Sequence, residues 1–176
     1  KKLPGKGSKI ERWRILEWLN LKINFDVTFN KQEKRSCSGI VIRDSNGEIL
    51  GSKTVLNNNI PSVFAAKALT CVQTVQMSLK MGLSMVEVKG DALLVIRKSQ
   101  SNGLDKPKKG ACIRDIQQLK RGFQICWFKH TPRMANRVAH TLATKEKWLK
   151  LNRDVKEDGE IGKGRKLKTL SETVID

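Results

Sequence analysis

Residues 22–30 alternate strictly, with Ile23, Phe25, Val27 and Phe29 on one side and Asn24, Asp26, Thr28 and Asn30 on the other. A period of two predicts a strand with one buried and one polar face. Residues 37–55 hold two more β-rich runs around Asn46-Gly47. That pair accepts the positive φ angles of a type I′ turn, so a tight hairpin is expected there. The period then changes. Phe64, Ala68, Leu69, Val72, Val75 and Leu79 recur at three-and-four spacing, predicting a helix that opens at Pro61 and ends near Gly82. Lys67, Cys71, Thr74 and Ser78 share its opposite, more polar side.

Further along, residues 84–89 read as a strand, 92–100 and 112–121 as helices, 123–129 as a last strand and 130–149 as a closing helix. Three consecutive antiparallel strands followed by crossovers predict an α/β fold, with a mixed sheet and helices packed on its faces. The expected domain is residues 20–149. A Gly-, Pro- and Lys-rich lead (1–19) and a charged tail (150–176) read as disordered. No internal repeat is evident.

Composition adds a partner class. The chain has 35 Lys+Arg against 17 Asp+Glu in 176 residues, a net charge of +18. A phosphate backbone rewards such a surface by releasing counterions, so a polyanion is the leading partner. Attraction to a membrane surface is the runner-up, but no helix gathers its basic residues opposite a Trp/Phe/Leu face, and a merely basic protein is the remaining alternative. Apolar runs are too short to span a bilayer, and no membrane partner is expected. Cys37, Cys71, Cys112 and Cys126 lack C-x-x-C spacing and lie in apolar periodic segments, which argues against zinc and for a reducing, intracellular setting.

Asp26 lies on the polar face of the first strand, and Asp91 lies where the fourth hands over to a helix. Neighbouring strands would bring the two carboxylates together, as a Mg²⁺ site for phosphoryl chemistry requires. Singly, Asp91 is also a candidate helix N-cap, and Asp26 one polar residue on a wet face.

Five segments in order resemble one family: K-I-N-F-D (22–26), S-G-I-V-I-R-D-S-N-G-E-I-L (38–50), F-A-A-K-A-L (64–69), V-K-G-D (88–91) and H-T-P-R-M-A-N-R-V-A-H-T-L-A (130–143). Together they are similar to the plant reverse-transcriptase-like, RNase H-type domain common in proteins derived from non-LTR retrotransposons. The resemblance covers almost all of residues 20–148. It implies an RNase H-like fold with a five-stranded mixed sheet, and endonucleolytic hydrolysis of RNA in RNA–DNA hybrids by two Mg²⁺ ions on four carboxylates. Asp26 matches the first carboxylate and Asp91 the third. The second, a glutamate in the family, is Lys67 here. The fourth is His140, a histidine that plant members often carry. Val27 replaces the family's usual glycine.

A lysine has donors only and cannot ligate a cation. Weak or absent Mg²⁺ binding and impaired catalysis are therefore expected. Lys67 has two other roles open to it: closing the site as an ion pair with Asp26 and Asp91, or holding a backbone phosphate as a point charge. His130 matches the family's H-T-P-R histidine and is read as positional. Asn136 falls where the wider family nears the substrate backbone, while Arg133 and Arg137 read either as phosphate contacts or as solvated helix-start residues. Lys108, Lys109, Lys120 and Arg121 resemble the substrate handle of some RNases H, with a charged surface loop as the alternative. Three functions follow: an active hybrid nuclease, a non-catalytic binder of hybrid or RNA, and a decayed transposon-derived domain. A monomer is expected in each.

Overall fold

The computed structural model describes residues 21–101 and 110–145. The predicted lead and tail, and the basic loop with Lys108 and Lys109, lie outside these residues. The strands are β1 (Lys22–Asn30), β2 (Arg35–Arg43), β3 (Ile49–Asn57), β4 (Met85–Gly90) and β5 (Ile125–His130). The helices are α1 (Val63–Lys80), α2 (Leu93–Gln100), α3 (Ala111–Leu119) and α4 (137–145). The five strands form one mixed sheet in the order β3-β2-β1-β4-β5. β1, β2 and β3 pair antiparallel, whereas β4 is parallel to β1 and to β5. This is an RNase H-like fold.

Alternation assigns the two sheet faces. Ile23 and Phe25 of β1, Ile40 and Ile42 of β2, and Val86 and Val88 of β4 point into one core with Val72 and Val75 of α1, Ile96 of α2 and Ile113 and Ile116 of α3. The opposite face is crossed by α4. A Cβ placed on Gly39 would overlap the Ala139 carbonyl oxygen and come within 2.6 Å of the Ala143 nitrogen, so only a bare glycine lets the helix lie this close. Thr28 of β1 ties the same helix down by donating to the Ala143 carbonyl at 2.8 Å.

Two expectations are corrected, one in a turn and one in a helix. The β2–β3 turn is not type I′: Gly47 alone of the Asn46-Gly47 pair has positive φ. The Gly47 N–H donates to the Asp44 carbonyl, and the Asp44 carboxylate accepts from the Asn46 and Glu48 N–H groups at 2.9 Å each. These bonds fix a type I turn followed by a left-handed glycine. On the more polar side of α1, Cys71, Thr74 and Ser78 are fully buried. Thr70, Thr74 and Ser78 each donate to the carbonyl four residues back, so their hydroxyls satisfy themselves and can be buried. Finally, the closing helix is interrupted. A 3₁₀ turn, Arg133–Asn136, precedes α4 and places Asn136 under β1.

Candidate active site

Parallel pairing of β1 with β4 sets Phe25 opposite Gly90, so Asp26 and Asp91, the next residues, emerge side by side. Asp26 is 4% exposed. Its Oδ1 accepts from the Val27 N–H at 2.8 Å, and its Oδ2 lies 2.8 Å from His140 Nδ1. Arg133 Nη2 is 3.1 Å from His140 Nε2. An arginine can only donate, so Nε2 accepts and Nδ1 carries the proton given to Asp26. Arg133, His140 and Asp26 thus form a directed chain with a neutral imidazole in the middle. Burial holds the Asp26 carboxyl above its ordinary value of 3.8, and the negative charge of Asp91 adds to this against the lowering by Val27 and His140.

Lys67 projects from the second turn of α1, and its Nζ is 3.7 Å from Asp91 Oδ1. The two side chains are 32% and 22% exposed, so the pair contributes on the order of 1 kcal/mol or less to stability. Its importance lies in where it puts a positive charge. Of the two carboxylates offered to Lys67 by the sequence, it engages Asp91, while Asp26 is taken by His140. Asp91 is not the N-cap of α2: that position is Ala92, with no side-chain cap bond.

This donor set does not fit a two-metal centre. Both Asp26 oxygens and both His140 nitrogens already have partners, and an ammonium sits on Asp91. Among the described residues, no three His, Cys, Asp or Glu side chains are grouped to hold a metal ion. Cys126 and Cys71 offer no substitute, since burial pushes the Cys126 thiol up to about 12 and Cys71 higher still.

Asn136 is 1% exposed and holds the site to the sheet. Its Nδ2 donates to the Phe25 carbonyl at 2.8 Å, and its Oδ1 accepts from Asn24 at 3.0 Å. Asn24 was not singled out in the sequence, although its place two residues before Asp26 on the same strand face was the available signal. Arg137 is exposed at the start of α4, and His130 is exposed at the end of β5. Lys120 and Arg121 are not in this cluster. They line an open groove of about 400 Å³ with Ser101, Gln117, Phe123, Gln124 and Cys126 on the other side of the sheet, where Lys120 lies over the Phe128 ring.

A raised carboxyl destabilises the folded state once it ionises. Its favourable contribution is complete below the unfolded value and is lost as pH rises through the folded one. Relative to Asp26→Asn, the unaltered chain is therefore expected to gain thermal stability as pH falls from neutrality to below the ordinary carboxyl value of 3.8. Paired melting curves across that range check it.

A family model described as reverse transcriptase-like matches residues 24–146, a span containing Asp26, Lys67, Asp91 and His140. Solved structures of similar fold include RNase H1 from the halophilic archaeon Halobacterium salinarum, at 19% identity over 71% of this chain and 95% of that one, with a TM-score of 0.62. LC11-RNase H1 in complex with an RNA/DNA hybrid is 22% identical over 73% of this chain and 99% of its own, with a TM-score of 0.62. The N-terminal RNase H domain of a Mycobacterium tuberculosis protein is 17% identical over 76% and 97%, with a TM-score of 0.63. At these identities the likeness is one of fold. No curated protein matches the chain.

Proposed function

The chain belongs to the reverse transcriptase-like family, and from that premise we propose that it binds nucleic acid, an RNA–DNA hybrid or RNA, across the β1–β4 junction and cleaves it weakly or not at all. The observation that carries this is Lys67 Nζ at 3.7 Å from Asp91, on the residue where the family resemblance puts a metal-binding glutamate. An ammonium cannot replace a carboxylate toward Mg²⁺, but it suits a backbone phosphate. Arg133, exposed and bonded to a neutral imidazole, gains a charge-assisted partner if phosphate takes it over. Asn136 holds the 3₁₀ turn that presents Arg133, and Arg137 follows on the same exposed rim.

In this reading Lys120 and Arg121, with Lys108 and Lys109 nearby in sequence, form a second basic contact away from the carboxylates. Mg²⁺-dependent cleavage of hybrids is what the RNase H-type resemblance implies for intact members, and this chain is a departure from it. The net charge of +18 favours a selected binder over a decayed domain. A monomer and an origin in a plant non-LTR retrotransposon complete the proposal. No helix among the described residues is long and apolar enough to cross a membrane.

Hybrid binding measured in EDTA at several salt concentrations tests the reading. A log–log slope of about −3 or steeper is expected, reflecting several neutralised phosphates. Preference for hybrid over duplex DNA is expected as well, since the 2′-OH distinguishes them. A flat salt dependence, or rapid Mg²⁺-dependent cleavage by the unaltered chain, would overturn it.

A further inference from the structure

The sheet face that carries Asp26 continues past the carboxylates toward the β5 edge. Register fixes its side chains in rows. Lys22, Glu87 and Trp127 form one row across β1, β4 and β5, and Asn24, Lys89 and Lys129 form the next. Inward-facing neighbours in the same strands, Val86, Val88, Cys126 and Phe128, are buried in the core, so these rows point the other way. Here Trp127 is 41% exposed on the sheet's edge strand. Beside it, Glu87 is bracketed by Lys89 at 3.2 Å and Lys129 at 3.9 Å, and Lys22 makes no ion pair among the described residues. Three ammonium groups against one carboxylate leave this strip net positive around an aromatic ring.

We propose that the strip is a subsite for single-stranded nucleic acid, in which Trp127 stacks a base while Lys22, Lys89 and Lys129 neutralise the adjoining phosphates. The proposal rests on the reading that a nucleic-acid strand is held at Lys67 and Arg133. From Asp26, the Trp127 row lies four residues back along the strand direction and two strands across, a separation of roughly 16 Å. At about 3.4 Å per stacked nucleotide, a strand leaving the junction reaches the ring after about five nucleotides. A duplex hides its base faces in its own stack, so an open aromatic ring selects unpaired bases. The cationic rim fits a polyanion better than an apolar peptide. Stacking on an aromatic side chain is sequence-tolerant, so no base preference is expected.

The test compares a short RNA–DNA hybrid, blunt or extended at either end by about six unpaired RNA nucleotides, long enough to span the distance. Binding is measured in EDTA for the unaltered chain, Trp127→Phe and Trp127→Leu. An extension of one polarity is expected to tighten binding about tenfold in the unaltered chain and in Trp127→Phe. The leucine variant should lose that gain and keep its blunt-hybrid affinity, which also shows that it folds. The proposal falls, and the primary site stands, if neither extension adds affinity while blunt binding persists, or if Trp127→Leu keeps the full gain. If extensions add nothing and Trp127→Leu lowers the melting temperature, the ring seats another part of this chain and the proposal is wrong. Absence of blunt-hybrid binding overturns the primary reading instead.

Discussion

Lys67→Glu is expected to raise Mg²⁺-dependent cleavage of an RNA–DNA hybrid by at least about 100-fold over the unaltered chain. An ammonium about 4 Å from a divalent ion at an intermediate effective dielectric costs on the order of 8 kcal/mol. Lys67 is about a third exposed, and halving the figure for solvent leaves about 4 kcal/mol, or several hundredfold in metal affinity. The substitution removes that repulsion and adds a hard oxygen ligand beside Asp91. Labelled-hybrid cleavage in Mg²⁺ and Mn²⁺ measures it, with Asp26→Asn added to the variant as the control that should abolish the gain. Efficient cleavage by the unaltered chain, itself lost in Asp26→Asn, would show that another group supplies the missing ligand. If neither protein cuts, the obstruction extends to the Asp26–His140–Arg133 chain.

Gly39→Ala is expected to cost about 3 kcal/mol of stability and lower the melting temperature by roughly 10 °C. The added methyl meets backbone atoms of α4 at Ala139 and Ala143, which cannot rotate away as a side chain could. The helix must shift, and His140 and Arg133 shift with its N-terminal end, so hybrid affinity should fall as well. Gly51→Ala is the matched control, since nothing lies within 4 Å of a Cβ there. Thermal unfolding of the two variants side by side would expose a failure: equal melting temperatures would mean that α4 does not bear on β2 as described.

The parts of this fold legible in the sequence are those where side-chain period alone decides the outcome. The alternation around Asp26 gave β1 with its bounds, because a strand between two covered faces still separates Ile23 and Phe25 from Asn24 and Asp26. Asn46-Gly47 located the hairpin but not its turn, which an upstream carboxylate on Asp44 decided. Burial of Thr70, Thr74 and Ser78 was hidden because hydroxyls count as polar in a pattern, whatever bonds they make to their own helix. The carboxylate pair was suggested by topology and by family resemblance. Their different partners, lysine for one and histidine for the other, come from contacts between α1, α4 and the sheet that no local pattern records. Lys67 itself was legible as a departure from the family resemblance, which implies a glutamate there.

β1 belongs to two assemblies that differ in how far the chain must travel to make them. Its pairing with β2 closes over residues 31–34, whereas its pairing with β4 waits for everything from 31 to 84 to be set in place. Closing the longer loop costs more entropy before any contact repays it, so the β1–β2–β3 meander forms early and the β4 side late. Asp26 sits in the early half, Asp91 and His140 in the late one. A polyanion held by Lys67 and Arg133, as proposed, therefore grips contacts that are absent when the folding barrier is crossed. Such a ligand acts on the rate of falling apart and leaves the rate of coming together almost untouched. If the proposed function holds, a bound strand is a kinetic latch.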